Sequence, residues 1–311
     1  MSKIFVTGHK SPDTDSICSA ISYANLKKQL GFDAQAICAG PANKETQFAL
    51  KYFGFEQPQI VTNFSEVVKE GDSVILVDHS ESKQIIDGHE NVEIVEVVDH
   101  HRFGDFETAA PIMIRVEPVG CTATIVTKLY EEKGQDIPKE IAGLLMSAII
   151  SDTVLFRSPT CTDEDKAALE KLANIAGVNY EEYGMEMLKA GADISDLSNE
   201  DIVRTDMKEF SEAGQTITIA QISVMDTTDV LAKQDQLVAA LEALRAENNY
   251  AASYLMVTNI LEEATTLLFA GDVNAVVSSA FGKDIENNGV YLPNVMSRKK
   301  QIAPPILGAM K

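Results

Sequence analysis

No apolar run in the sequence approaches the roughly 18 residues that a membrane-spanning helix needs. A membrane partner is therefore not expected. The opening segment, residues 1–7, reads as a first strand and lacks the apolar core and cleavage site of a secretory signal, so export is not expected either. Cysteine is sparse: Cys18, Cys38, Cys121 and Cys161 are scattered, with no Cys-x-x-Cys pair. They read as reduced, mostly buried small residues of a cytoplasmic protein, against a disulfide framework or a zinc knuckle. Basic residues are also scarce, 26 against 47 acidic ones, for a net charge of −21. That balance argues against a nucleic-acid partner, which needs basic surface. Solubility accounts for most of the excess, and bound divalent cations would neutralise part of it. No internal repeat or low-complexity segment interrupts the chain.

What is present is enough for two domains, 311 residues of which 45% are apolar. Strand and helix signals alternate through the first half. Strands are expected at 3–7, 34–39, 73–77 and 93–98, with helices at 16–30, 44–53, 122–133, 138–150, 162–176 and 180–190. This is the pattern of an α/β domain, a mainly parallel sheet flanked by helices. Gly191, Asp193, Ser195, Asp196 and Ser198 then mark a linker. A smaller α/β domain should follow, with a strand at 216–224, a long helix at 226–248 and paired strands at 253–258 and 265–270. The expected division is 1–189, a hinge at 190–196, and 197–311.

Four of the five histidines lie in short acidic clusters. Gly8-His9-Lys10-Ser11-Pro12-Asp13-Thr14-Asp15, Asp78-His79-Ser80 and Asp99-His100-His101 each fall where a strand should end. Asp152, in Ser151-Asp152-Thr153, closes a later apolar run. Imidazole and carboxylate without thiolate are the ligands of a divalent metal in hydrolytic chemistry. Carboxyl ends of strands are where α/β sheets place ligands. The spacing lets His9 and Asp13 converge on one ion while Asp15 reaches a second, with Asp78 and Asp152 bridging and His100 supplying a further nitrogen. Two such cations could share a water, lower its pKa and aim it at a phosphoryl group. Taken singly, Asp15 could instead cap the helix after it, and Asp78 or Asp152 could be turn residues. His79 and His89 read as structural.

Asp99-His100-His101 is the signature of the DHH phosphoesterase superfamily, and the clusters around His9, Asp78 and Asp152 are similar to its other motifs. Ser297-Arg298-Lys299-Lys300-Gln301, a basic knot in an acidic chain, resembles the substrate motif of family II inorganic pyrophosphatases. The resemblance runs over the whole chain. It implies hydrolysis of pyrophosphate to two phosphates, with the active site in a cleft between a DHH domain and a DHH-associated domain. It implies two Mn²⁺ ions, Co²⁺ being an alternative, and additional Mg²⁺ or Mn²⁺ arriving with the substrate. One ion would be held by His9, Asp13, Asp78 and Asp152, the other by Asp15, Asp78, His100 and Asp152. His101 would contact phosphate and could donate a proton, and Asp99 would orient a histidine. Lys208, Arg298 and Lys299 would grip the phosphates, with Arg298 suited to a bidentate contact. The resemblance also implies a homodimer joined through the first domain. An exopolyphosphatase, a nucleotide phosphodiesterase or a non-catalytic metal-binding regulator are the competing readings. No Gly-Gly-Gly-His string of the nucleic-acid-acting relatives occurs.

Overall fold

The β-branched and apolar runs of the first half become the strands of a parallel sheet in the computed structural model, which describes residues 2–311. Met1, counted with the opening strand above, lies outside them. By backbone contacts the chain divides into two compact units, Met1–Ala190 and Gly191–Lys311. In the first, β1 (Ile4–Thr7), β2 (Ala34–Cys38), β3 (Gln59–Ile60), β4 (Ser73–Val77), β5 (Glu93–Asp99) and β6 (Met113–Val116) form one sheet. Its order is β3-β2-β1-β4-β5-β6, with every neighbouring pair parallel. The strand order reverses direction between β1 and β4, the switch point where the carboxyl ends of such sheets leave room for a ligand.

The helices are α1 (Thr14–Gln29) and α2 (Lys44–Tyr52), which connect β1 to β2 and β2 to β3, and then α3 (Thr122–Glu132), α4 (Lys139–Thr153), α5 (Asp163–Ala176) and α6 (Tyr180–Gly191), which follow the last strand. From Ile141 to Ile150 every residue of α4 is buried, so it is an interior helix with no polar stripe. Phe5, Ile37, Val74, Leu76 and Val97 fill the core against one face of the sheet.

In the second unit β7 (Lys208–Glu212), β8 (Gln215–Val224), β9 (Ala252–Asn259), β10 (Ala264–Ala270) and β11 (Gly289–Pro293) form a mixed sheet of order β11-β10-β9-β8-β7. Only β8 and β9 run parallel. Its helices are α7 (Asn199–Ile202), α8 (Thr228–Leu231), α9 (Gln234–Asn248), α10 (Asn274–Phe281) and α11 (Ala303–Ala309). Leu237, Leu241 and Leu244 of α9 cover one face, and Val277, Ile302 and Ile306 cover the other, so β9 is buried from end to end.

The helix expected over 226–248 is interrupted: α8 ends at Leu231 and α9 starts anew at Gln234. The short strands β3, β6, β7 and β11 and the helix α10 carry too little apolar period to read from sequence. Among the described residues no helix is long and apolar enough to cross a membrane. All four cysteines are free.

Candidate metal centre

Each acidic cluster reaches the carboxyl edge of the first sheet by a different local device. After β1 the chain turns through Gly8, where a Cβ would fall 1.9 Å from the Ser16 hydroxyl and 2.7 Å from its carbonyl oxygen. Only glycine lets the strand end pass so close to α1. Asp13, not Asp15, is the helix N-cap, its Oδ1 accepting from Ser16 N at 2.9 Å. That leaves Asp15 in the first turn, fully buried. Asp78 follows β4 in the left-handed region at φ 64°, and Asp99 is the last residue of β5. Asp152 lies in the last turn of α4, just before three consecutive left-handed residues, Val154, Leu155 and Phe156.

These devices gather donor atoms into overlapping groups. His9, Asp13 and Asp78 offer one set within 4.8 Å of one another; Asp15, Asp78, His100 and Asp152 offer a second, and Asp78, His100 and His101 a third. His9 Nε2 lies 3.4 Å from Asp13 Oδ2 and 3.3 Å from Asp78 Oδ2. His100 Nε2 lies 3.4 Å from Asp78 Oδ1 and 3.6 Å from Asp152 Oδ2. Ligands bound at about 2.0–2.2 Å to one cation stand about 3–3.6 Å apart, so both spacings suit an ion. Asp78 thus belongs to all three sets, whereas Asp152 falls in the second set only.

The histidine tautomers point the same way. His9 Nδ1 bonds the Lys10 carbonyl at 2.8 Å and His100 Nδ1 the Val119 carbonyl at 3.0 Å. A carbonyl only accepts, so each Nδ1 carries a proton and each Nε2 is the atom left to meet a cation. His9 Nε2 and Asp78 Oδ2 are buried without a hydrogen bond, an arrangement that suits atoms meant for a cation. His101 differs: its Nδ1 and backbone N–H both meet Asp99 Oδ1, at 3.0 and 2.9 Å. Asp99 therefore orients His101. His79 is buried with Nδ1 on the Val77 carbonyl, and burial pushes its pKa down to about 4, in keeping with a structural role.

Without cations the cluster neutralises itself with protons. Burial, and then the charge of Asp78, push the Asp15 carboxyl up to about 7. Burial followed by Asp15 and Asp13 raises Asp152 well above the carboxylate range. Burial alone would lower His9, but Asp13 and Asp78 overcome it and hold the imidazole well above its usual value. Asp78 stays low despite burial because the imidazoles of His100, His9 and His101 beside it favour its ionised form. A group raised in the folded state stabilises the fold below its unfolded pKa and loses that contribution as pH rises through the folded one. For Asp15 the window runs from about pH 4 to about 7; Asp78 works oppositely, below that window. The metal-free protein should therefore melt lower at pH 8 than at pH 5. Added Mn²⁺ should release protons near pH 6.5. At about 100 times its dissociation constant it should add about 2.7 kcal/mol, or about 5–10 °C, by calorimetry. A melting temperature insensitive to both would remove the centre.

Sequence reasoning missed several residues around it. Glu45, on α2, accepts from the Thr14 hydroxyl at 2.9 Å and from the Ser151 hydroxyl, tying the neighbours of Asp13, Asp15 and Asp152 together. Nothing in its helical sequence context marks it.

The basic motif of the second unit is equally built. Gln301 Oε1 accepts from Met296 N and Ser297 N, both at 3.0 Å, and its amide donates to Asn294 O at 2.7 Å. Arg298 opens the π-helical turn Arg298–Ile302. Its guanidinium meets both Asp206 carboxylate oxygens, at 2.9 and 3.1 Å, the Asp206 carbonyl, and the Ile219 carbonyl at 3.3 Å. Lys208 pairs with Ile219 across β7 and β8, so its backbone and the Arg298 side chain converge on one residue. Lys299 is exposed on the same turn. Asp206, unmarked in the sequence, was not anticipated as the partner of Arg298.

A parallel α/β sheet with histidines and carboxylates at its carboxyl edge, followed by a mixed-sheet unit, defines a two-domain DHH-type metal hydrolase. Residues 3–149 match the DHH family N-terminal domain and residues 185–309 the DHHA2 domain. The chain belongs to the family II, manganese-dependent inorganic pyrophosphatases. It is 49% identical over 310 residues to the manganese-dependent inorganic pyrophosphatase of Bacillus subtilis (strain 168), covering 100% of this chain and 99% of that one. A Methanococcus jannaschii structure assigned to family II inorganic pyrophosphatases matches with a TM-score of 0.86 and 40% identity, over 98% of this chain and 99% of that one. An exopolyphosphatase-related protein from Bacteroides fragilis shares the fold at 17% identity and a TM-score of 0.52, over 99% and 91%.

Proposed function

We infer that this protein hydrolyses inorganic pyrophosphate to two orthophosphates. The observation that carries this is Asp78, one buried carboxylate shared by all three ligand sets at the carboxyl edge of the sheet, in a chain of this family. His9, Asp13, Asp78 and Asp152 would hold one Mn²⁺, and Asp15, Asp78, His100 and Asp152 the other, with Co²⁺ an acceptable substitute and further Mg²⁺ or Mn²⁺ carried by the substrate. When bound, such cations neutralise phosphate charge and acidify water.

The remaining work falls to side chains. The Asp99–His101 bond uses Nδ1–H, which supports His101 Nε2 as the phosphate contact and, in the imidazolium form, as the atom that would deliver a proton to the leaving phosphate. Arg298, whose terminal nitrogens meet Asp206 and Ile219, would exchange these partners for two phosphate oxygens, and Lys208 and Lys299 would add point charges. We assign residues 1–189 to catalysis and 197–311 to substrate binding, joined through 190–196. Its four free cysteines support a cytoplasmic setting.

A second copy is the expected partner. The edge strand β6 exposes Met113, Ile114 and Val116, an edge that soluble proteins cover, and this supports a homodimer through the first unit. Sedimentation as a monomer at micromolar concentration would remove that reading. The activity itself is tested by phosphate release from pyrophosphate, triphosphate, long polyphosphate and a dinucleotide with Mn²⁺ or Mg²⁺. Pyrophosphate with Mn²⁺ should be turned over fastest, and a preference for the dinucleotide would overturn the assignment.

A further inference from the structure

One short segment, residues 119–124, touches three of the four members of the second ligand set. The Val119 carbonyl accepts from His100 Nδ1 at 3.0 Å. The backbone N–H groups of Thr122 and Ala123, at the start of α3, donate to Asp15 Oδ2 and Oδ1 at 2.7 and 3.1 Å. The Thr122 hydroxyl donates to Asp78 Oδ1 at 3.2 Å. The members peculiar to the first set are oriented from elsewhere, His9 by the Lys10 carbonyl and Asp13 by Ser16 N.

What holds the segment is Asp165, a fully buried carboxylate in the first turn of α5. Its Oδ2 accepts from Gly120 N at 2.8 Å, and its Oδ1 from the Thr124 hydroxyl at 2.6 Å. Oδ2 also receives Thr162 N and the Thr162 hydroxyl, both at 2.7 Å. A cap on α5 needs only the Thr162 contacts. The other two bonds reach residues 45 and 41 positions away in sequence. A Cβ on Gly120 would lie 2.7 Å from Asp165 Oδ2 and 3.1 Å from Thr153 Cγ2. The segment is therefore seated against Asp165 on one side and against the residue after Asp152 on the other. All of these partners are neutral N–H and O–H groups, so displacing the segment would take from a buried carboxylate the hydroxyl that meets its Oδ1.

We propose that Asp165 is a positioning residue: by clamping residues 119–124 it sets the cation affinity of the Asp15, Asp78, His100 and Asp152 site, and not that of the His9 and Asp13 site. This rests on the reading that both sets bind Mn²⁺. Loss of a partner that orients a ligand lowers metal affinity by about 10–100-fold. The test is titration of metal-free protein with Mn²⁺, free ion being followed by electron paramagnetic resonance, with Asp15→Asn identifying which binding step belongs to the second set. Asp165→Asn should weaken that step by about 10–100-fold and leave the other unchanged. Thr124→Val, which removes a single bond and keeps the shape, should weaken the same step less and covers the case in which Asp165→Asn does not fold. Thr162→Ala, which removes only contacts of the cap, should lower the melting temperature without shifting either step. If the unaltered protein shows no pair of Mn²⁺ steps, the underlying two-ion reading fails. If it shows them, and both Asp165→Asn and Thr124→Val keep both steps or weaken them equally, the role given to Asp165 is overturned.

Discussion

Replacing Asp78 by asparagine is expected to remove both proposed cations at once and to abolish turnover. Asparagine keeps the shape of the side chain and tolerates the left-handed backbone that Asp78 occupies at φ 64°, so the fold should survive. What is lost is charge at the point where the two ligand sets meet. Asp78 Oδ2 stands 3.3 Å from His9 Nε2 and Oδ1 3.4 Å from His100 Nε2, with the carboxylate 1% exposed. An amide there presents one oxygen and one NH₂ group, and the latter would point donor hydrogens at a cation site. Loss of a mere ligand-orienting partner costs about 10–100-fold, so loss of the shared ligand should exceed 100-fold in phosphate release. Metal analysis after gel filtration should show Mn²⁺ falling toward zero. His100→Ala or Asp15→Ala should instead weaken one site and still collapse turnover. An Asp78→Asn variant that retains both ions and ordinary turnover would remove Asp78 from the centre.

The second large effect is expected at Arg298, with the opposite signature. Arg298→Ala should raise KM for pyrophosphate by about 100-fold or more, since two charge-assisted hydrogen bonds at about 1.5–3 kcal/mol each are lost. Bound Mn²⁺ should not change, because the Arg298 contacts are to Asp206 and Ile219 of the second unit. The fold should tolerate the change as well: Asp206, left without its guanidinium, is 51% exposed and can be solvated. Arg298→Lys should restore only part of the affinity, because an ammonium cannot span two oxygens as a planar fork does. Loss of Mn²⁺ in Arg298→Ala, or an unchanged KM, would show that its role has been mistaken.

Much of the site was legible because its chemistry is local in sequence. Strand ends and metal donors coincide at Val77-Asp78 and at Val98-Asp99-His100, where a β-branched run stops at a charge. The parallel sheet was legible too, since buried strands read as continuous apolar runs between helical periods. Less was visible where a few residues decide the outcome. By spacing Asp15 reads as the candidate cap, and only the chain's path after Gly8 makes Asp13 the cap and buries Asp15. Edge strands such as β6 are short and half exposed, so they carry no clean period.

By itself, then, the sequence determined the ligand types, their approximate order along the sheet and the family, because residue identity and short spacing are one-dimensional properties. Tertiary structure alone decided how the donors divide, with Asp78 common to all three sets and Asp152 beside His100. It alone decided that Asp99 serves His101, that Asp206 holds Arg298, and that Asp165 clamps the segment behind Asp15. The physical reason is reach. A hydrogen bond extends about 3 Å, and those that join Asp15 to Thr122 or Asp165 to Gly120 connect residues 107 and 45 positions apart.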